Sequence, residues 1–482
     1  MTLETKMLVC YNLYVKIFVK EVIMMSKFYN LIPSQDTMYL MQKYTFHKQI
    51  VQIPTSFMVD MDVDFNTLTR ALNIEIERND SMRLRFKKDG KNITQYFLDS
   101  YKIDSVKVLN FKTEEEQDKF FTKDAQTPVR FLKDECYRIY FFNSFNGYKG
   151  IYLNASHMVM DAIGILVFYL DLLAVYKALR SGEALPEPLL KYEDYIVKEH
   201  EKCANEARFE KDKKFYDEYF RSCGEPTYSG VHGPAFLEKE RKKKKNPDLK
   251  VPSAYSPLLD KAAVIGKKVD PALSEKIFAF CKDRSVAPES LMLLAMRTHL
   301  SALHDRDPFG MQLLMCSKRI TYKDMKTGGC MAQPLQVLTR IEENMSFSEA
   351  LDEFLRTRTS LYRHLTYPYT TARDQFREIY NYSLIQGPAS LMFSWLPVPV
   401  SEFKEFKFDF KTYNLGRYFS PLYAICYPDP VSGALALHYM YREKLITPAD
   451  LEALHSNTVR IIEMGIANPE ITIGELLDSL QK

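Results

Sequence analysis

Two residues whose types and spacing could perform chemistry lie in the stretch NASHMVMDAIG, residues 154–164. His157 follows an alternating strand pattern, and Asp161 comes four residues later, where an apolar helix pattern begins. Imidazole is the only side chain whose ordinary pKa, about 6.5, allows proton transfer near neutral pH. The pattern therefore indicates His157 as a candidate proton-transfer group at the C-terminal end of a strand.

Asp161 has two roles open to it on this spacing. Its carboxylate could orient the imidazole of His157, as in a catalytic dyad, or it could bind a cation elsewhere and brace the loop. A buried carboxylate without a partner is costly, so some positive group must meet it. Metal ligation is disfavoured, because His157 has no neighbouring second ligand at helical spacing.

Ser156 immediately precedes the histidine and raises the alternative of a serine nucleophile. Adjacent strand residues point to opposite faces of a sheet, so Ser156 and His157 are badly placed to pair. The sequence also has no G-x-S-x-G nucleophile elbow. We therefore disfavour a serine hydrolase.

The composition is that of a globular protein without special partners. The chain has 482 residues, 46% hydrophobic and 26% charged, which predicts about two to four domains. A net charge of +3 is too small to indicate a nucleic acid or a membrane surface as partner. Eight scattered cysteines without a C-x-x-C pair predict reduced thiols in a cytoplasmic protein, with neither a metal nor a redox dithiol.

Alternating strand and helix patterns predict an α/β fold. The stretch TSFMVDMDVDF, residues 55–65, alternates strictly, with Phe57 and Val59 on one face and Met58 on the other together with three aspartates. A helix should follow it, capped by Asp64 or Asn66. The segments CYRIYFFN and KGIYLNA predict an antiparallel pair that turns near Asn146-Gly147.

Helix-start signals are stronger in the second part of the chain. They are the cap and first-turn proline Asp270-Pro271, the capping box of Ser346 with Glu349, and Thr447-Pro448. Between these helices, strands are predicted for MQLLMC, ASLMFSWL and ALALHYMYRE.

These patterns divide the chain into two α/β halves with a polar crossover. We expect an N-terminal extension over 1–25, a first half over 26–221, a linker over 222–260 and a second half over 261–482. The linker contains prolines, glycines and the basic run Arg241–Lys245, which favours a solvated loop. The apolar run of the extension is too short and too charged to span a bilayer, although a helix lying on a membrane surface is an alternative.

The motif around His157 resembles a known family signature. SHMVMDA is similar to the H-H-x-x-x-D-G signature of the condensation domains of nonribosomal peptide synthesis and of related thioester-dependent acyltransferases. Further segments resemble the family's other motifs in the family's order, from about Lys27 to the C-terminus: LIPSQDTMYLM, ERNDSMRLRF, YEDYIVKEH, CSKRITYKDMKTGGCMAQPLQV and HLTYPY.

The resemblance implies an α/β fold (an α+β sandwich) of two chloramphenicol-acetyltransferase-like lobes that form a V-shaped pseudo-dimer around a central tunnel. In that fold His157 takes the position of the catalytic histidine. Asp161 takes the position of the structural aspartate, with Arg319 as its expected partner. The expected protein is a monomeric, free-standing acyltransferase without a bound cofactor. Its co-substrate is a thioester of coenzyme A or of phosphopantetheine on a separate carrier protein, and its acceptor is an amine or a hydroxyl.

Some residues depart from the family's pattern. Ser156 stands for the first histidine of the signature, Ala162 for its glycine, and Gln333 for an asparagine of a later loop. Asn79 and Asp80 replace the usual residues after Arg78. Two other classes stay open as alternatives: a catalytically silent condensation-like module that binds carrier proteins or acyl ligands, and a general ligand-binding α/β protein. The segment FKFDFKTYN lacks the D-F-G-W-G signature of plant-type alcohol acyltransferases, so that branch is disfavoured.

Overall fold

The computed structural model describes residues 28–133, 135–254, 260–398, 407–429 and 431–480. The expected extension over 1–25 lies outside the described residues. Within them the chain forms two α/β halves, each with its own large hydrophobic core.

The first half alternates short strands with helices. Its strands are β1 (Phe28–Asn30), β2 (Gln52–Val59), β3 (Leu84–Asp89), β4 (Asn92–Phe97), β5 (Val108–Asn110), β6 (Tyr137–Asn143) and β7 (Lys149–Ser156). Its helices are α1 (Pro33–Lys43), α2 (Phe65–Arg78), α3 (Glu114–Ala125), α4 (Ala162–Ser181), α5 (Tyr192–Cys203) and α6 (Glu206–Cys223).

The second half is built around one larger sheet. Its strands are β8 (Asp260–Lys268), β9 (Phe309–Ser317), β10 (Ala332–Arg340), β11 (Leu391–Trp395), β12 (Phe408–Thr412), β13 (Arg417–Tyr418), β14 (Leu422–Pro428) and β15 (Leu435–Arg442). Its helices are α7 (Ala235–Lys244), α8 (Pro271–Asp283), α9 (Pro288–Leu303), α10 (Phe347–Arg363), α11 (Tyr369–Tyr380), α12 (Pro448–Ala467) and α13 (Ile473–Ser479).

Three sheets organise the described residues. Their strand orders are β1-β4-β3, β12-β2-β7-β6-β5 and β10-β9-β11-β14-β15-β8-β13. The strand β12 comes from the second half but pairs antiparallel with β2 of the first half, with Phe410 opposite Phe57. This pairing covers an otherwise open sheet edge, and it ties the two halves together.

The local signals of the sequence are found where they were predicted. Asp64 caps α2 by accepting from the backbone N–H of Thr67 at 2.8 Å. The strands β6 and β7 form the predicted antiparallel pair, and Gly147 has the positive φ of +86° that its turn requires. The remaining predicted starts, Asp270, Ser346 and Thr447, each accept from an N–H of the first turn of α8, α10 and α12.

The strand predicted over 55–65 differs from the structure in its bounds and its faces. The strand β2 ends at Val59, and both of its faces are buried. Phe57 belongs to the main core of the first half, whereas Met58 belongs to a second cluster that α3 covers on the opposite side of the sheet. The alternating pattern predicted that one face of β2 is buried and the other is exposed to solvent. In the structure both faces are buried.

The described part of the crossover region, residues 222–254, is more ordered than its composition indicated. Arg241 and the lysines at 242–244 lie in the last turns of α7, where cations suit the C-terminal end of a helix dipole. A small cluster of Tyr228, Leu237 and Ala254 anchors this region. The preceding helix α6 packs against the core of the second half through Tyr216 and Phe220.

The helix α4 is long and apolar enough to cross a membrane by length and composition. However, 61% of its most apolar window is buried inside the protein, and its residues Phe168 and Leu172 belong to the core of the first half. It is therefore a core helix, which begins directly after Asp161.

Candidate active site

His157 lies at the end of β7, where the chain leaves the sheet. Its backbone N–H donates to the carbonyl of Val51 at 2.8 Å, which fixes the loop start against the residue that precedes β2. The side chain is partly exposed, whereas its neighbours Ser156 and Met158 are buried. The Ser156 hydroxyl accepts from the N–H of Met158 at 3.3 Å, so it stabilises the loop turn and lies turned into the protein.

Asp161 pairs with Arg319 of the second half. The Nη1 of Arg319 donates to Oδ2 of Asp161 at 2.7 Å and to Oδ1 at 3.0 Å. The Arg319 side chain is 0% exposed and that of Asp161 is 3% exposed. The cation that the buried carboxylate requires is therefore supplied across the two halves, by the residue that the family resemblance implies.

The carboxylate of Asp161 also holds two backbone groups. Oδ1 accepts from the N–H of Gly164 at 2.7 Å, which caps the N-terminus of α4. Oδ2 accepts from the N–H of Met331 at 2.7 Å. Of the two roles left open by the sequence, this geometry favours the brace over a dyad with His157.

The loop 327–331 wraps around the guanidinium of Arg319. Arg319 donates to the carbonyls of Thr327, Gly328 and Gly329 at 3.0–3.1 Å. Gly329 has a φ of +86° and its backbone lies against Tyr192, so that an added Cβ would come within 2.2 Å of that ring. Only glycine fits at this position, which explains the second glycine of the Gly328-Gly329 pair.

A second buried ion pair lies beside the first. The Nζ of Lys318 binds Oε1 of Glu199 in α5, with 5% and 1% of the side chains exposed. Consecutive cations at the end of β9 thus meet two carboxylates of the first half. This pair is not predictable from the sequence, because no local pattern connects residues 119 positions apart.

Cys330 is a neighbour of His157 that no sequence pattern indicates. Its Sγ lies 3.6 Å from Nδ1 of the imidazole, and its carbonyl accepts from the hydroxyl of Tyr192 at 2.8 Å. Burial raises the pKa of the Cys330 thiol far above its usual range, and the nearby Asp161 raises it further. The thiol therefore stays protonated at neutral pH, which disfavours a cysteine nucleophile activated by His157.

Burial lowers the pKa of His157 below its ordinary value of about 6.5, although the charge of Asp161 and a hydrogen bond from the ring to its own backbone oppose that shift. A general base must be neutral to accept a proton. If His157 is the general base of the acyl transfer that the family resemblance implies, we expect kcat/KM to rise as pH increases through the pKa of His157, below about 6.5. At higher pH, kcat/KM should stay constant. A pH–rate profile checks this, and an acid limb centred above about 7 would contradict it.

The residues that depart from the family's pattern have structural partners. Asp80 accepts from the N–H of Tyr192 at 2.8 Å and that of Glu193 at 3.0 Å, and so caps α5. The side-chain amide of Gln333 donates to the carbonyl of Leu365 at 2.7 Å. The side chain of Asn79 donates to Glu75 at 3.0 Å.

Ala162 is the first residue of α4 and lines a cavity between the halves. The cavity has a volume of about 480 Å³. Among the described residues, no group of three or more His, Cys, Asp or Glu side chains could hold a metal ion. The candidate chemical centre is thus the single, partly exposed imidazole of His157.

Comparison with curated sequences finds large peptide synthetases. The chain is 22% identical over 465 residues to surfactin synthase subunit 1 of Bacillus subtilis (strain 168). The matched stretch covers 93% of this chain and 12% of the synthase. It is 28% identical over 180 residues to a linear gramicidin synthase of Brevibacillus parabrevis, covering 36% of this chain and 4% of that protein. The chain therefore spans a small part of the length of these relatives.

Solved structures with the same fold are condensation domains. The first condensation domain of the calcium-dependent antibiotic synthetase, in complex with a substrate analogue, matches with a TM-score of 0.74 at 16% identity, over 93% of this chain and 98% of that one. VibH, a condensation enzyme of nonribosomal peptide synthesis, matches with a TM-score of 0.70 at 17% identity, over 90% of this chain and 95% of VibH. The predicted fold class is confirmed.

A family model covers almost the whole sequence. The description of that model is "Condensation domain", and it matches residues 25–481. This range includes both halves, the loop with His157 and Asp161, and Arg319. The chain belongs to the condensation domain family.

Proposed function

We propose that the protein transfers an acyl group from a thioester to an amine or hydroxyl acceptor, with His157 as the general base or as the group that positions the nucleophile. The observation that carries this proposal is the partly exposed imidazole on a loop held by the buried pair of Asp161 and Arg319. Such a brace holds the loop that carries the ring, and fixed geometry is a main source of catalysis when two substrates must meet.

The chemistry requires one proton acceptor and no covalent enzyme intermediate. The nucleophile attacks the thioester carbonyl, its proton passes to Nε2 of His157, and the C–S bond breaks as the new C–N or C–O bond forms. The proton then leaves with the sulfur as a thiol. Nδ1 faces Cys330, so Nε2 is the nitrogen we assign to the substrate. Proton transfer of this kind contributes about 10²–10⁴-fold.

The relatives support a thioester donor. A double mutant of the starter condensation domain of rhizomide synthetase RzmA, solved with C8-CoA and Leu-SNAC, matches with a TM-score of 0.75 at 16% identity, over 93% of this chain and 96% of that one. We propose a coenzyme A or phosphopantetheine thioester as co-substrate here, with a separate carrier protein as the partner in the second case.

Product analysis tests this function. The full chain is incubated with an acyl-coenzyme A or acyl-pantetheine thioester and an amino acid ester, and both the free thiol and the acyl amide are quantified. We expect equal amounts of thiol and amide, formed only when the acceptor is present. Thiol release with free acid as the product would instead indicate a hydrolase, and absence of both products would favour a silent ligand-binding module.

Replacing Cys330 by alanine separates direct transfer from an acyl-enzyme route. Because the thiol is buried and protonated, we expect Cys330→Ala to retain transfer within about tenfold of the parent, against the 10²–10⁴-fold cost of losing proton transfer. Mass spectrometry of the intact protein during turnover should show no acylated species. Loss of transfer together with disappearance of an acylated form would contradict direct transfer.

A further inference from the structure

Tyr192 lies in the interior of the protein, at the first position of α5. Its backbone N–H donates to the carboxylate of Asp80 at 2.8 Å, which fixes the start of the helix. Its side chain is fully buried, and the ring lies against the backbone of Gly329. The residue is therefore held at its main chain and along its ring, and the position of its hydroxyl is fixed with them.

The hydroxyl of Tyr192 binds the loop beside the candidate active site. It donates to the carbonyl of Cys330 at 2.8 Å. Burial raises the pKa of this phenol well above its usual range, so the hydroxyl keeps its proton at neutral pH and remains a donor. A group of α5 thus holds the main chain of the residue that contacts the imidazole.

The groups on either side of Cys330 have different partners. The carbonyl of Gly329 accepts from Arg319 at 3.1 Å, and the N–H of Met331 donates to Asp161 at 2.7 Å. Both partners belong to the ion pair that braces the two halves. The brace therefore fixes the ends of this short segment, whereas the phenol at the start of α5 fixes the peptide between them.

Cys330 in turn contacts the imidazole of His157. Its Sγ lies 3.6 Å from Nδ1, and a sulfur atom can act as a weak acceptor. A ring N–H also donates to the backbone carbonyl of His157 itself, and Nδ1 is the ring nitrogen nearest to the main chain. Since a carbonyl can only accept, Nδ1 carries the proton, and the lone pair of the neutral ring lies on Nε2.

We propose that Tyr192 is a positioning residue for His157. By holding the carbonyl of Cys330, its hydroxyl keeps Sγ beside Nδ1, so that the proton stays on Nδ1 and the lone pair of Nε2 faces the substrate. The benefit of this arrangement for acyl transfer rests on the proposed function, whereas the effect on the ring does not.

The tautomer of His157 in the resting protein tests this relay directly. The full chain is labelled with nitrogen-15 histidine, and the ring nitrogens are observed by NMR at neutral pH. The signals of His157, one of 9 histidines, are identified by their absence from the His157→Ala chain. We expect the Nδ1–H form in the parent chain and a larger share of the Nε2–H form in Tyr192→Phe. A parent ring protonated at Nε2, or a tautomer that Tyr192→Phe leaves unchanged, would overturn the proposal.

Tyr195→Phe is the matched control. Tyr195 lies one turn further along α5, and its ring stacks on that of Tyr192 with the centroids 5.8 Å apart. Its hydroxyl is buried and has no hydrogen-bond partner in the part of the chain that the structure describes. The tautomer and kcat/KM of this variant should equal those of the parent chain. Equal changes in both variants would show a general softening of α5 and would refute the relay.

A double-mutant cycle shows whether Tyr192 acts through Cys330. For the proposed acyl transfer, we expect Tyr192→Phe to lower kcat/KM by about two- to tenfold, as the loss of one neutral hydrogen bond does. In a chain that already carries Cys330→Ala, the same change should affect neither kcat/KM nor the tautomer, because the sulfur is gone. Additive effects of the two changes would contradict a relay through this sulfur.

The same measurements separate this inference from the proposed function. Cys330→Ala alone tests the contact with the ring, so the proposal is also refuted if this variant leaves the tautomer unchanged, whatever the stability of Tyr192→Phe. If no substrate pair is ever turned over but both variants shift the tautomer, the relay stands without acyl transfer. If turnover occurs and neither variant shifts the tautomer, only the relay fails.

Discussion

Replacing His157 by alanine is expected to lower kcat/KM for acyl transfer by about 10²–10⁴-fold, because the substrate loses the group that takes its proton. The side chain is partly exposed, and its ring contacts the thiol of Cys330 rather than an ion-pair partner, so the fold should survive. Transfer is followed by amide formation, and the melting temperature is recorded for the same sample. The pH dependence below about 6.5 should disappear with the imidazole.

The control for this variant is His200→Ala. His200 is another partly exposed histidine of the first half, with its Nε2 at 3.1 Å from the carbonyl of Asn30. Its replacement removes an imidazole without touching the loop that carries His157. Equal losses of transfer in the two variants would show that a general effect, and not proton transfer at His157, limits the rate.

Replacing Arg319 by alanine is expected to lower the free energy of unfolding by about 3–5 kcal/mol, because it leaves the carboxylate of Asp161 buried without its cation. The loss should include the bonds that Arg319 donates to the loop 327–331. Urea denaturation measures the change. Transfer should fall as well, since the loop that carries His157 loses its brace.

Two further variants show whether the buried charge is the cause. Arg340→Ala breaks an ion pair with Glu342 whose arginine is 64% exposed, and surface pairs contribute only about 0–1 kcal/mol. Adding Asp161→Asn to Arg319→Ala removes the unpaired charge while keeping an oxygen for the cap of α4, so part of the lost stability should return. Equal losses for Arg319→Ala and Arg340→Ala would refute the brace.

Local features of the fold were predictable because they depend on neighbours in sequence. The cap of α2 by Asp64, the capping box of Ser346 and the turn at Gly147 each use residues within a few positions of one another. The sequence correctly predicted a strand at β2, but it wrongly predicted that the face with Met58 is exposed. Alternation cannot show that α3 covers that face.

The candidate site was predictable in part. The sequence pattern indicated His157 as the proton-transfer group and showed that a buried Asp161 would require a cation. The family resemblance identified Arg319 as that cation. Neither could indicate Cys330, whose Sγ faces the imidazole only because Arg319 and Asp161 hold the loop 327–331 in place.

The sequence by itself determined the helix starts, the hairpin and the loop motif, since these arise from hydrogen bonds and side-chain periodicity over a few residues. Only the tertiary structure decided that β12 completes the sheet of the first half, that α6 packs on the second core, and that Lys318 meets Glu199. Such contacts join residues more than a hundred positions apart, where the requirement to cover a sheet edge, a core or a buried charge selects the partner.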